Sequence, residues 1–187
     1  MLTTTKMKIK IEKIVEIPEA YQIDVNGNEI SAKFKGKELK KTFSIPSSIK
    51  ISKENNNIKL TAEKARKIEG KIIGTTVAHI KNMINGLNED YVYKLELCTV
   101  HFPATIKVEG QKFIIKNFLG EIVDRVAEIV PNAKVEIKGN IISVTSPDRD
   151  AAGQTAANIE IATKIKYRDR RVFQDGIFLT EKNGVKI

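Results

Sequence analysis

Hydrophobic and polar positions alternate with a period of two along much of the chain, which indicates β-strands. In the first half, two such segments flank Asn26-Gly27, and this dipeptide between strand-like segments is a strong signal for a β-hairpin. A second pair, residues 49–51 and 58–60, flanks a polar turn at residues 53–57. The pattern therefore predicts two antiparallel hairpins in this half.

The second half repeats this order of strands and turns. Its predicted hairpins turn at Glu109-Gly110-Gln111 and Lys138-Gly139-Asn140, and the two halves open on Ile17-Pro18 and Phe102-Pro103. Short motifs also recur in the same order, with gaps of only a few residues. We interpret the chain as two copies of one domain, covering residues 1–88 and 89–187.

A helix closes each copy. Over residues 62–86, apolar side chains three and four positions apart form one stripe, typical of a helix with one buried face: Ala65, Ile68, Ile72, Thr76, Ile80 and Ile84. Gly70 and Gly74 interrupt this helix and suggest close packing against a neighbour, since each costs about 1 kcal/mol relative to Ala.

The second helix is predicted from Asp148 to Lys164. Ser146 is its expected N-cap and Pro147 its expected first-turn residue. The side chains predicted to face inward are Ala152, Thr155, Ala156, Ile159 and Thr163.

Residues 120–130 are ambiguous, because alone they would suit a short amphipathic helix. Their counterpart in the first copy, residues 36–45, has an extended pattern, so the repeat favours a strand. The predicted fold is α+β, with two tandem copies of a small, mainly antiparallel sheet packed on one helix.

Composition restricts the class of protein. The chain has 187 residues with a net charge of +9 and a single cysteine, Cys98. No apolar stretch approaches the roughly 18 residues of a membrane span, and the first residues lack the apolar core of a secretory signal. We expect a cytoplasmic protein that binds a polyanion, RNA before DNA or a membrane surface.

Candidate catalytic groups do not cluster in the sequence. His79 and His101 are 22 residues apart with no ligand-spaced partner, so we interpret both as satisfied or solvent-facing. Cys98 is interpreted as a small buried apolar group rather than a nucleophile. Residues 70–76 contain glycines, Lys and Thr in an order that does not match a phosphate loop. We expect no enzyme activity and no cofactor.

The strongest local signal is a basic segment at residues 164–171. It has a net charge of +4 and three of the six arginines, its cations being Lys164, Lys166, Arg168, Arg170 and Arg171 against Asp169. Guanidinium groups bind phosphate oxygens in pairs, which suits an RNA backbone. The alternative is a solvated face at a helix C-terminus, where cations complement the helix dipole.

A turn at Asp175-Gly176 follows, between Phe173 and Phe178. Its aromatic rings could pack on ribose or base beside an arginine clamp, or fill the domain core, which we slightly favour. Five lysines in the first copy form an auxiliary contact or a solvated strand edge: Lys33, Lys35, Lys37, Lys40 and Lys41.

The C-terminal residues resemble a known family, large-subunit ribosomal protein six in its archaeal and eukaryotic branch, where the eukaryotic member is called protein nine. The resemblance covers essentially the whole chain and is sharpest over residues 153–160 and 162–178, with residues 116–121 as a second familiar segment. The matching signature positions are Gln154, Arg168, Arg171, Phe173, Asp175, Gly176, Ile177 and Phe178. A basic residue is expected three positions after the aromatic, where Glu181 stands, with Lys182 one later.

The resemblance implies a structural protein of the large ribosomal subunit, without catalysis, cofactor or small-molecule substrate. Its partners would be large-subunit rRNA, bound mainly by the second domain, and neighbouring ribosomal proteins, near the stalk base and the sarcin–ricin loop where translation factors dock. The residues expected at the RNA are Gln154, Lys164, Lys166, Arg168, Arg170, Arg171, Phe173, Asp175, Gly176 and Lys182. The remaining alternative is a non-ribosomal adaptor for an acidic protein or lipid surface.

Overall fold

A computed structural model describes residues 9–18, 20–54 and 56–187, apart from the side chains of Ile9 and Lys64. The first eight residues, on which the expectation about a secretory signal partly rests, lie outside this part of the chain, as does residue 55 of the predicted polar turn. The chain divides into two compact units, residues 1–88 and 89–187.

The first unit has two antiparallel three-stranded sheets and one helix. Its elements are β1 (Ile9–Glu16), β2 (Gln22–Asn26), β3 (Glu29–Phe34), β4 (Lys37–Thr42), β5 (Lys50–Glu54), β6 (Asn57–Ala65) and α1 (Lys67–Asn88). The sheet orders are β2-β3-β4 and β1-β6-β5. Both predicted hairpins are present. Strand β1 was not predicted, because the repeated pattern opens only at Ile17-Pro18, after this strand has ended.

Helix α1 begins later than predicted, since residues 62–65 belong to β6. The backbone N–H of Arg66 donates to the Glu69 carboxylate at 2.9 Å, which satisfies one N–H at the helix start. Ile68 is exposed, in contradiction to its predicted place in the buried stripe, because it lies in the first turn, before the buried face begins at Ile73. Thr76, Ile80 and Ile84 are buried as predicted.

The second unit repeats this order and extends it. Its elements are β7 (Tyr91–Cys98), β8 (Thr105–Glu109), β9 (Lys112–Lys116), a 3-10 turn (Phe118–Gly120), β10 (Arg125–Glu128), β11 (Lys134–Lys138), β12 (Ile141–Ser146), α2 (Arg149–Ala162), β13 (Gly176–Lys182) and β14 (Val185–Lys186). The sheet orders are β8-β9-β10 and β11-β12-β7-β13-β14. The extra strand β13 pairs with β7, the counterpart of β1.

The predicted α+β class is confirmed, with two sheets rather than one in each copy. Strand β10 confirms an extended conformation for part of residues 120–130 and not a helix. Helix α2 buries four of the five predicted side chains, and the fifth, Thr163, is buried just beyond the helix, which ends at Ala162. Its N-cap is Asp148, whose carboxylate accepts from the N–H of Asp150 at 3.0 Å. Ser146 instead accepts from the N–H of Asp148. The predicted cap was wrong because Pro147 precedes the helix rather than opening it.

Candidate nucleic-acid interface

The basic segment lies in a loop, residues 163–175, that connects α2 to β13. Thr163 closes this loop at its base. Its hydroxyl donates to the carbonyl of Glu160 at 3.1 Å and accepts from the N–H of Ile177 at 2.9 Å. Because one buried side chain joins the end of the helix to the start of the strand, the loop projects from a fixed base.

Asp175 anchors the other end of the loop. It is only 3% exposed, and its carboxylate accepts from the N–H of Val100 at 2.7 Å, the N–H of His101 at 3.0 Å and Nδ1 of His101 at 2.6 Å. Burial raises the pKa of this carboxyl, but the hydrogen bonds from His101 and Val100 outweigh burial and lower the pKa below its ordinary value. The carboxylate is therefore held ionised inside the protein, where it anchors the loop to the residues that follow β7.

A stack of three side chains continues from this anchor to the surface. The His101 and Phe173 rings are stacked with their centroids 4.8 Å apart, and the Arg168 guanidinium lies 4.7 Å from the centre of the Phe173 ring. Arg168 thus has a preferred position, supported by a cation–π contact.

Arg125 fastens the start of the loop, a role that sequence reasoning missed. Its guanidinium binds both carboxylate oxygens of Glu121, at 2.7 and 2.5 Å, and donates to the carbonyls of Ala162 at 3.0 Å and Lys164 at 3.4 Å. It also lies over the Phe118 ring. The only available signal was an i, i+4 Glu–Arg pair in the ambiguous segment, which gave no indication of the two carbonyls.

The predicted cations of the loop are all exposed: Lys164, Lys166, Arg168, Arg170 and Arg171. Arg171 forms an exposed ion pair with Asp169 at 3.1 Å and lowers the pKa of that carboxyl by hydrogen bonding, and such surface pairs contribute little. Lys164, Lys166 and Arg170 make no ion pair with the part of the chain that the structure describes. The loop therefore presents cationic groups that are available to an anion.

The structure does not bring every predicted residue to this loop. Gln154 lies on α2, about 12 Å along the axis from the last residue of the helix, Ala162, and donates to Asn158 at 2.8 Å. Lys182 lies at the far end of β13, about 20 Å from Gly176, over the Tyr93 ring. Glu181, beside it, pairs with Lys94 at 2.9 Å.

The two phenylalanines do not fill the core, which corrects the interpretation we slightly favoured. Both are half-buried and lie outside the buried cluster of this unit. Phe173 belongs to the stack described above. The Phe178 ring lies against Gly176, where an added Cβ would meet its Cζ at 3.0 Å, so this position requires glycine.

Two further candidates from the sequence are Cys98 and the lysine cluster of the first unit. Burial raises the pKa of the Cys98 thiol, helped by the charges of Glu96 and Asp175, and this is the opposite of an activated nucleophile. The thiol is half-buried rather than buried as expected. In the first unit, Lys33 and Lys40 both pair with Glu38, at 3.5 and 3.3 Å.

Across residues 9–18, 20–54 and 56–187, no group of three or more His, Cys, Asp or Glu side chains is arranged to hold a metal ion. Within the same ranges, neither helix has the length and apolar character needed to span a bilayer.

Fold and loop together define a class of protein: a basic α+β chain of two similar units, the second of which presents a fixed cationic loop. A family model described as ribosomal protein L6 matches residues 17–90 and 102–176, so one match falls in each copy and begins where that copy opens. The chain belongs to the ribosomal protein L6 family.

Similar proteins agree with this assignment. The chain is 42% identical over 172 residues to large ribosomal subunit protein uL6 of Methanobrevibacter smithii, covering 92% of this chain and 96% of that protein. It is 38% identical over 177 residues to uL6 of Aeropyrum pernix, covering 95% and 97%. The expected family is confirmed, and the absence of enzyme activity follows from membership of a family of ribosomal proteins.

Proposed function

We propose that this chain is a structural constituent of the cytoplasmic large ribosomal subunit and binds rRNA mainly through its second unit. Its relatives are named as large ribosomal subunit proteins. Binding of rRNA through the second unit is supported by the loop at residues 163–175. This loop presents free cations from a base fixed by Thr163, Asp175 and Arg125. Neighbouring ribosomal proteins are the expected protein partners.

The loop is suited to RNA because its charges are both concentrated and positioned. Phosphate contacts orient a protein on folded RNA, and a guanidinium held by Phe173 loses less conformational entropy on binding than a free one. The family resemblance also supports the proposal that the protein lies near the stalk base and the sarcin–ricin loop, where translation factors dock.

The test replaces Arg168, Arg170 and Arg171 together with Ala in the full chain. A matched control replaces Lys107, Lys112 and Lys134, three exposed lysines of the same unit outside the loop, with Ala. If about six phosphates are neutralised, the logarithm of wild-type affinity for large-subunit rRNA should fall with that of salt at a slope of roughly −4 to −5. The arginine variant should bind more weakly with a shallower slope, whereas the control should keep most of the affinity.

Sedimentation separates this function from that of a basic adaptor. The tagged protein should remain with large subunits in high-salt gradients. Wild-type rRNA affinity in the arginine variant, or sedimentation apart from subunits, would contradict the proposal.

A further inference from the structure

A cavity of about 820 Å³ lies beside the basic loop in the second unit. Its walls are the last turn of α2, both ends of the loop, the start of β13 and the residues after β7. This volume is within the range of roughly 300–1,000 Å³ that ligand pockets occupy. The cavity can therefore hold more than water, and the phosphate contacts proposed above do not require it.

Apolar side chains line this cavity and remain uncovered. Ile161 is 64% exposed and Val100 is 66% exposed, and both line it together with the half-buried rings of Phe173 and Phe178. Exposed apolar surface rimmed by polar groups is typical of a binding site.

The rim carries the charge that selects the occupant. Lys164 and Arg170 line the cavity, and neither forms an ion pair within the described part of the chain. Unpaired cations next to an apolar wall match a ligand that has a flat, weakly polar face a short distance from an anionic group. An unpaired nucleotide has this chemistry, since its base stacks on apolar and aromatic side chains while its phosphate binds cations.

We propose that the cavity receives one unpaired nucleobase of rRNA, splayed out of its strand, with a neighbouring phosphate on Arg170 and Lys164. The inference rests on the proposed function and makes it more specific, because a loop that bound only phosphates would leave the cavity empty. Glu160 also lines the cavity and makes no ion pair among the described residues, so its carboxylate is available to accept from a base amino group.

Ultraviolet crosslinking of the full chain to large-subunit rRNA, followed by mass spectrometry, locates the nucleotide. The expected crosslinks join one unpaired base to Cys98, Phe173 or Phe178. Replacing that nucleotide with an abasic one should weaken binding by about 5- to 150-fold, the range for stacking of one base on protein side chains. The salt slope should not change, because the phosphates remain.

A pair of protein variants tests the cavity by changing its wall, as the abasic nucleotide tests it by changing the RNA. Val100→Ala with Ile161→Ala removes apolar wall and should weaken binding several-fold at an unchanged salt slope. The control, Ile122→Ala with Val123→Ala, trims apolar side chains of the same unit that are more exposed still and do not line the cavity, and should bind like wild type. Circular dichroism checks that both variants fold.

The outcomes separate the two proposals. If the arginine variant loses affinity while the abasic RNA and the cavity variant bind normally, or if crosslinks avoid the cavity walls, the nucleobase site is wrong and rRNA binding stands. If the wild-type chain fails to bind rRNA, both are wrong.

Discussion

The carboxylate of Asp175 lies 2.6 Å from Nδ1 of His101, although 74 residues separate them in the sequence. The same carboxylate accepts the backbone N–H groups of Val100 and His101, so it joins the end of the basic loop to the residues that follow β7. Since His101 also stacks on Phe173, and Phe173 on Arg168, one buried charge positions a surface arginine through two intermediate rings.

Asp175→Asn should test this anchor. The amide keeps the shape of the side chain but loses the charge and one acceptor oxygen, so we expect the second unit to lose about 1–3 kcal/mol of unfolding free energy. Urea unfolding followed by NMR peaks from β7 measures the change. Asp169→Asn, in the same loop but exposed, is the control and should change stability little. An unchanged midpoint for Asp175→Asn would show that the anchor does not contribute.

The same carboxyl predicts a dependence on pH. Its pKa is lower in the folded protein than in the unfolded chain, so its contribution is complete above the ordinary Asp pKa of 3.8 and is lost as pH falls through the lower folded-state value. The difference in unfolding free energy between wild type and Asp175→Asn should therefore be largest near neutral pH and shrink below pH 3.8. A difference that stays constant into that acidic range would contradict the assigned ionisation.

Local patterns predicted most of the fold, because hairpin turns and the buried stripes of helices depend on residues that are close together in the sequence. The Asn26-Gly27 turn, strand β10 and the buried face of α2 are examples. The same local reasoning placed the cations in one loop correctly, since a run of charge along the chain stays together in a connecting loop.

The features that sequence did not predict depend on contacts between distant residues. His101 was given no partner because Asp175 is far along the chain, and Arg125 was not singled out because the two carbonyls that it binds belong to the end of α2. Ile68 was misplaced because a helical stripe does not show where the preceding strand ends. The first two concern contacts between distant residues, whereas the third concerns the boundary between a strand and a helix.

Phe173→Ala should loosen the loop and leave the fold intact. The ring lies outside the buried core, so unfolding free energy should change by less than about 1 kcal/mol. Loss of the stack frees Arg168, and tryptic cleavage within residues 164–171 should become about 2- to 5-fold faster, as a cation–π contact of this strength implies. Val172→Ala removes a more exposed neighbour in the same loop and should leave the cleavage rate unchanged.

Arg125→Lys should destabilise the second unit by about 1–2 kcal/mol, because a single ammonium cannot bind Glu121 and two carbonyls together. Glu121→Gln should cost less, since Arg125 keeps both carbonyls. Arg170→Lys, at an exposed position of the same unit, is the charge-matched control. Equal effects of the Arg125 and Arg170 variants on urea unfolding would show that the guanidinium geometry is unimportant.

Gly70 and Gly74 should respond differently to alanine, although both lie in α1. An added Cβ at Gly74 meets no described atom within 4 Å, so the prediction of close packing there is wrong, and Gly74→Ala should stabilise the first unit by about 0.5–1 kcal/mol. At Gly70 the Cβ would lie 3.1 Å from Cδ1 of Ile11, as close packing predicts, so Gly70→Ala alone should gain less or lose stability. Thermal unfolding of each variant measures these changes in stability. Ile11→Val removes the methyl group that opposes Gly70, so adding Ile11→Val to Gly70→Ala should recover part of the stability that alanine brings to the helix. Equal stabilisation by the two single variants would mean that β1 and α1 separate freely at this contact.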